Sequence, residues 1–174
     1  MARKSPIAKR HRIEGPKRVT AAIVTVSDTR TYKTDKSGGL IEKMLVAKGH
    51  RVVRHGLCSD EPPKIMKELD ASMATGCDVI IFSGGTGIAP RDVTIETIAP
   101  HMEKRIDGFG ELFRQLSHND IGGAAMLSRA MAGTCQGKVV FCLPGSPDGV
   151  RLAMSRLILP EIRHIIGLVR YRPG

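Results

Sequence analysis

The sequence predicts an α/β fold of three layers, a mostly parallel sheet flanked by helices on both faces. Three observations predict it. Residues 19–26 (V-T-A-A-I-V-T-V) and 78–83 (D-V-I-I-F-S) are near-continuous apolar runs, the mark of strands buried on both faces. Segments with apolar residues at helical spacing alternate with these runs. The strand-like runs also end alike, in small, polar or acidic residues.

The elements follow in order. Strand 19–26 gives way to a polar loop over 28–37. Ser37 is a candidate cap for a helix to about Ala47, with Leu40, Ile41, Met44 and Leu45 on one side and Lys48-Gly49 as the stop. Residues 51–57 form the next strand. Asp60 is placed to cap a helix carrying Ile65, Met66, Leu69 and Met73 on one face, and Gly76 ends it. Strand 78–83 runs into S-G-G-T-G, and Thr94 opens a helix with Ile95, Ile98 and Met102 on one side. Over 104–134 the pattern predicts a short helix from about Gly110 and a second around 121–126. S-R-A-M-A-G-T-C-Q-G-K-V-V-F-C-L predicts a strand, a Gln-Gly turn and a strand ending at Pro144. Ser146-Pro147 then opens a long helix, which Pro160 is expected to kink near Leu159.

With 174 residues and 41% hydrophobic content, the chain suits one domain with a substantial core. Residues 1–18 are set apart as a basic, solvated, flexible tail, and 19–174 as the domain. The net charge of +10 raises nucleic acid as a partner, but seven bases and one acid precede the first strand, so most of the excess lies in the tail. Aromatics are 3%, which argues against stacking platforms for single strands. No run of eighteen apolar residues predicts a membrane span, and the first residues lack the apolar stretch of a secretory signal, so the expected compartment is the cytoplasm. Cys58, Cys77, Cys135 and Cys142 form no C-x-x-C pair and are expected to be buried, reduced thiols. The six histidines show no metal-ligand spacing.

In open parallel sheets, ligands bind beyond the carboxyl ends of the strands. Those ends are Ser27-Asp28, Ser59-Asp60, Ser83-Gly84-Gly85-Thr86-Gly87 and Pro144-Gly145-Ser146. The glycines permit positive φ and a nest of N–H donors for an anion. Neither common nucleotide fingerprint fits, since no Lys follows the loop and Pro90 blocks the last glycine position. G-G-T-G alone is equally compatible with simple chain reversal, but Arg91, Asp92 and Glu96 follow closely and favour a ligand. Asp60 and Asp92, after different strands and beside a phosphate nest, suggest a Mg²⁺ site completed by water and phosphate oxygens, with a purely capping Asp60 as the competing reading. Pro144-Gly145-Ser146 is a second loop-to-helix junction, and Ser128-Arg129 a candidate anion contact.

S-G-G-T-G-I-A-P-R-D-V-T, D-G-F-G-E-L-F-R-Q-L-S, L-S-R-A-M-A-G and L-P-G-S-P occur in one order. With them the chain resembles the MoaB/MogA family of molybdenum cofactor biosynthesis from about residue 19 to 166. The resemblance implies a molybdopterin-binding fold, a homotrimer or hexamer, and adenylyl transfer from Mg-ATP to the molybdopterin phosphate. It also implies a downstream molybdate or tungstate insertion protein as partner. It places nucleotide phosphates at Gly84–Gly87, catalysis and Mg²⁺ at Asp92 and Asp60, and pterin phosphate and dithiolene near Ser27, Ser128 and Pro144–Ser146. Gly108, Gly110 and Glu111 match a mainly structural motif. The chain resembles the MoaB branch, some members of which are inactive and often lose the acid after G-G-T-G. This chain keeps R-D-V-T-I-E, with Ile95 where proline is usual, which implies an active enzyme. A molybdopterin-binding delivery protein without catalysis is the alternative.

Overall fold

The computed structural model describes residues 15–171. Residues 1–14 of the expected solvated tail, 1–18, and with them His11, lie outside the described residues. Where the described chain begins, Pro16 offers its carbonyl to Arg163 Nε at 3.0 Å, and Val19 is fully buried.

Six strands form one sheet: β1 (Thr20–Val26), β2 (Arg51–Cys58), β3 (Val79–Ser83), β4 (Lys104–Arg105), β5 (Met131–Cys135) and β6 (Lys138–Leu143), in the order β2-β1-β3-β6-β5-β4. The pairs β1–β2, β1–β3 and β3–β6 are parallel, while β5 is antiparallel to both β6 and β4. The helices are α1 (Lys36–Ala47), α2 (Pro62–Ala74), α3 (Thr94–Ile98), α4 (Asp107–Ile121), α5 (Pro147–Ala153) and α6 (Leu159–Arg170).

Strand periodicity divides the core. Ala21, Ile23, Val79, Ile81, Val139 and Phe141 face one way, where residues of α1, α4, α5 and α6 cover them. Ala22, Val24, Ile80, Phe82, Val140 and Cys142 face the other way, under α2 and α3. This two-sided burial explains the unbroken apolar runs of β1 and β3. Each such large side chain contributes on the order of 1.5–3 kcal/mol by leaving water.

Several boundaries differ from the sequence expectation, each for a local reason. Asp35, not Ser37, caps α1, because its Oδ1 accepts the Gly38 N–H at 2.8 Å while the Ser37 hydroxyl donates to Gly145 O at 2.7 Å. Asp60 does not cap α2. The cap position is Glu61, without a side-chain bond, since Pro62 and Pro63 begin the helix there. α4 starts at Asp107 and runs 15 residues, through glycines that look like breakers. Gly110 is required for packing, because a Cβ there would lie 2.7 Å from Ala130 O. A 3-10 turn over Gly122–Leu127 replaces the expected second helix. α3 is five residues long and passes into a 3-10 turn, Ala99–His101. β4 is two exposed residues with no apolar period to betray it.

The hairpin about Gln136-Gly137 and the Ser146 cap with Pro147 in the first turn match expectation. The disturbance expected from Pro160 is a π-helical turn over Met154–Ile158, in which Leu159 N–H bonds Met154 O. The proline removes one helical donor and crowds the preceding turn, and widening that turn accommodates it. All four cysteines are free and buried. Burial, with Glu68 and Asp60 adding repulsion, pushes the Cys58 thiol up to about 12. His50 is buried, accepts the Val19 N–H at Nδ1 (3.3 Å), and is held below its ordinary pKa by burial and then by Arg163.

Candidate functional site

The order β2-β1-β3 places a topological switch point between β1 and β3. From β1 the chain crosses to β2 on one side, then returns to β3 on the other. A crevice opens at such a point, beyond the carboxyl ends of the strands. Here it is a cavity of about 470 Å³. Ser27, Asp60, Ser83, the loop Gly84–Gly87, Arg91, Asp92, Ser128, Arg129 and the turn Pro144–Ser146 all line it. Residues 27 and 146, far apart in sequence, thus share one wall system.

Gly84 and Gly85 have φ of +107° and +60°. A Cβ on Gly84 would lie 2.1 Å from Val26 O. On Gly85 it would lie 2.4 Å from Thr94 Oγ1 and 2.7 Å from Asp60 Oδ1. Only glycine meets both demands. The loop is pinned on both sides: Gly84 N–H donates to Leu143 O (3.0 Å), Thr94 N–H to Gly85 O (2.9 Å) and Thr94 Oγ1 to Gly84 O (2.9 Å). The Gly84 N–H is therefore spent inside the fold. Among the described residues the N–H groups of Gly85, Thr86 and Gly87 have no acceptor, so these three form the available nest.

The charged residues form two units. Arg91 Nη2 donates to Asp28 Oδ2 (2.8 Å) and to Asp60 Oδ2 (3.5 Å), and Asp60 N–H donates to Asp28 Oδ1 (3.1 Å). The Asp60 side chain is only 5% exposed. Burial, and then the neighbouring Asp28, raise its pKa, against the pull of Arg91. In the second unit Arg129 Nε donates to Thr86 O (2.9 Å) and Nη2 to both Glu96 carboxylate oxygens (2.7 and 2.9 Å). Glu96 is not on the cavity wall. It holds Arg129, which braces the glycine loop. Asp92 Oδ2 accepts the Ala89 N–H (3.0 Å), leaving Oδ1 directed to no partner among the described residues.

The serines divide by role. Ser83 Oγ donates to Pro144 O (3.3 Å), which uses its proton within the fold, whereas Ser146 Oγ accepts the Gly149 N–H (3.2 Å) and its own O–H makes no bond among the described residues. Ser27 Oγ accepts the N–H groups of Thr29 and Arg30, both at 3.3 Å. The Ser128 hydroxyl has no partner among the described residues. Thr25, Asp35, Ser37 and Arg30 also line the cavity, and sequence reasoning did not place them in the site. D-K-S-G directly after a strand and its loop is the signal that marks Asp35 and Ser37.

No group of three or more metal-ligating side chains exists among the described residues. A protein-only metal cage is therefore not built here. The oxygen donors Asp60 and Asp92, beside an anion nest, fit an ion that completes its shell with water and phosphate oxygens, as Mg²⁺ does. No helix among the described residues is long and apolar enough to cross a membrane.

A glycine nest, carboxylates and a P-G-S turn wall the switch-point crevice of this α/β domain. Residues 22–164 match the family described as "Probable molybdopterin binding domain", and the chain belongs to that family, in its MoaB/MogA group of molybdenum cofactor biosynthesis proteins. It is 49% identical over 160 residues to the Molybdenum cofactor biosynthesis protein B of Halalkalibacterium halodurans, covering 91% of this chain and 94% of that one. It is 50% identical over 157 residues to the protein of the same name from Bacillus cereus, covering 89% and 93%. A crystal structure of a Molybdenum cofactor biosynthesis protein B superposes with a TM-score of 0.87 at 48% identity, over 91% of this chain and 100% of that one. The tungsten cofactor synthesizing protein MoaB from Pyrococcus furiosus superposes at 0.82 with 36% identity, over 90% and 99%.

Proposed function

We propose that the chain is a molybdopterin adenylyltransferase. A phosphate oxygen of molybdopterin attacks the α-phosphorus of ATP. The bond from that phosphorus to the oxygen bridging to the β-phosphate breaks, and pyrophosphate leaves with the electron pair. A phosphate nucleophile is already anionic and needs no general base. The task is to align two anions and offset their repulsion. The observation that carries this reading is the meeting of the unpaired Gly85–Gly87 N–H groups, Asp60, Asp92 and the P-G-S turn around one cavity.

On this reading the three N–H groups hold the nucleotide phosphates, stabilising charge without themselves reorganising. Arg129, fixed by Glu96, keeps the loop in register through Thr86 O. Ser27, Ser128 and the Pro144–Ser146 turn serve the pterin end. Asp92 and Asp60 would hold Mg²⁺, which supplies neutralisation of phosphate charge when bound. The molecule works as a trimer or hexamer in the cytoplasm and hands its product to a molybdate or tungstate insertion protein.

The guanidinium of Arg91 across Asp28 and Asp60 favours a second reading, a binding and delivery protein. There Arg91 fills the place of a metal and no transfer occurs. Incubation with molybdopterin and Mg-ATP, wild type beside Asp92→Ala, separates them. Adenylyl transfer predicts adenylyl-molybdopterin from the wild type and a loss of about 100-fold or more in the variant. Pterin binding by a folded wild type with no product leaves the delivery protein.

A further inference from the structure

We infer that His55, a β2 residue that does not line the cavity, is a positioning residue for the pterin end of the site. The inference rests on the reading that the P-G-S turn takes that end. The link begins at Asp35, whose side chain lines the cavity yet is only 2% exposed. Its Oδ1 accepts the Gly38 N–H (2.8 Å) and its Oδ2 accepts the Thr25 hydroxyl (2.6 Å). The same Oδ2 lies 3.0 Å from His55 Nε2. A carboxylate only accepts, so Nε2 carries the proton and donates. His55 Nδ1 lies 3.6 Å from Glu42 Oε2, two turns along α1, and Tyr32 stands edge-on to the imidazole at 6.0 Å. The ring thus ties β2 to the cap of α1 through Nε2, while Nδ1 faces the second turn without a hydrogen bond.

Space is reserved for this contact. A Cβ on Gly38 would lie 2.2 Å from Asp35 Oδ2, 2.5 Å from His55 Nε2 and 2.7 Å from Thr25 Oγ1. The far end of the link is Ser37, two residues after Asp35. Its hydroxyl donates to Gly145 O, in the P-G-S turn, at 2.7 Å. His55 holds Asp35, Asp35 holds the first turn of α1, and that turn holds the P-G-S loop through Ser37. The nucleotide side has its own supports, Thr94 and Arg129, which this chain of contacts does not touch. Loss of His55 therefore acts chiefly on the P-G-S end, because Thr94 and Arg129 still hold the glycine loop that Ser83 joins to Pro144.

The test is direct binding of molybdopterin without nucleotide, and of Mg-ATP without pterin, to wild type, His55→Ala, His55→Gln and His55→Asn. Removing a hydrogen bond to a charged group predicts about tenfold weaker molybdopterin binding by the alanine variant, with ATP affinity kept within about twofold. Glutamine, whose amide nitrogen reaches the Nε2 position, restores most of the affinity, and the shorter asparagine does not. The Gln–Asn comparison decides the matter even if the alanine variant fails to fold. Unchanged molybdopterin affinity in Ala or Asn, or equal weakening of both ligands, overturns the inference. A wild type that binds molybdopterin but makes no adenylyl product sinks the catalytic reading and leaves this test standing. A wild type that does not bind molybdopterin sinks both.

Discussion

At Asp60, burial and the Asp28 charge both favour the protonated form, and the Arg91 contact only partly offsets them. A carboxyl whose pKa is raised by folding binds more protons in the native state than in the unfolded chain. Stability therefore falls as pH rises from the unfolded value, near 3.8, through the raised native value, and its contribution is fully present only below that window. Asp60→Asn removes this slope. Thermal melts across pH 4 to 7 are expected to show wild type losing ground to the variant as pH rises, on the order of a few degrees. Identical pH profiles would show that the site carries no such cost. A carboxylate kept where it destabilises the fold is in keeping with a ligand that compensates it. Asp60 also shows where residue-level reading stopped. Its place at a strand end, on the same cavity as Asp92, was legible, whereas its competing role as a cap was decided by Pro62 and Pro63. Asp35 was hidden because its partners, Thr25 and His55, lie ten and twenty residues away on two strands. Ser83 and Ser146 both line the cavity, and the sequence did not show the bonds each also makes within the fold, Ser83 Oγ to Pro144 O and Gly149 N–H to Ser146 Oγ.

Among the elements, those with a strong period were legible: β1, β3, the β5–β6 hairpin, and the capped start of α5. In the segment from 104 to 127 the helix was legible but not its start or length, since Gly110 is set by close packing on Ala130, and β4 has no core-facing residue. This segment also carries the surface that bears on assembly. α4 buries Phe109 and Phe113, but its end and the following 3-10 turn expose Ile121, Met126 and Leu127, with Met126 80% exposed. Leu127 also lines the cavity, so a neighbouring subunit seated there would border the site. Apolar groups of this kind at a rim are expected to be covered in an oligomer. Sedimentation equilibrium at micromolar concentration is expected to give a trimer or hexamer, and Met126→Glu with Ile121→Glu to shift the mass downward. A monomeric wild type, or a double variant of unchanged mass, would remove this surface from the interface.

For the whole molecule, the sheet order is what gathers the chemistry. The chain reverses direction across the sheet between β1 and β3, and the carboxyl ends of the parallel strands β1, β2, β3 and β6 meet there, through Ser27, Asp60, Gly84–Gly87 and Pro144–Ser146. The sequence showed the strand ends but not their order, because strand pairing is a long-range matter that local patterns do not encode. On the function proposed above, this crevice transfers an adenylyl group. This transfer is tested most directly by incubating the wild-type protein with molybdopterin and Mg-ATP labelled at either the α- or the γ-phosphate. The α-label is expected to move to the pterin product, with one pyrophosphate released for each transfer. Transfer of the γ-label, or ATP left intact beside bound molybdopterin, would contradict it.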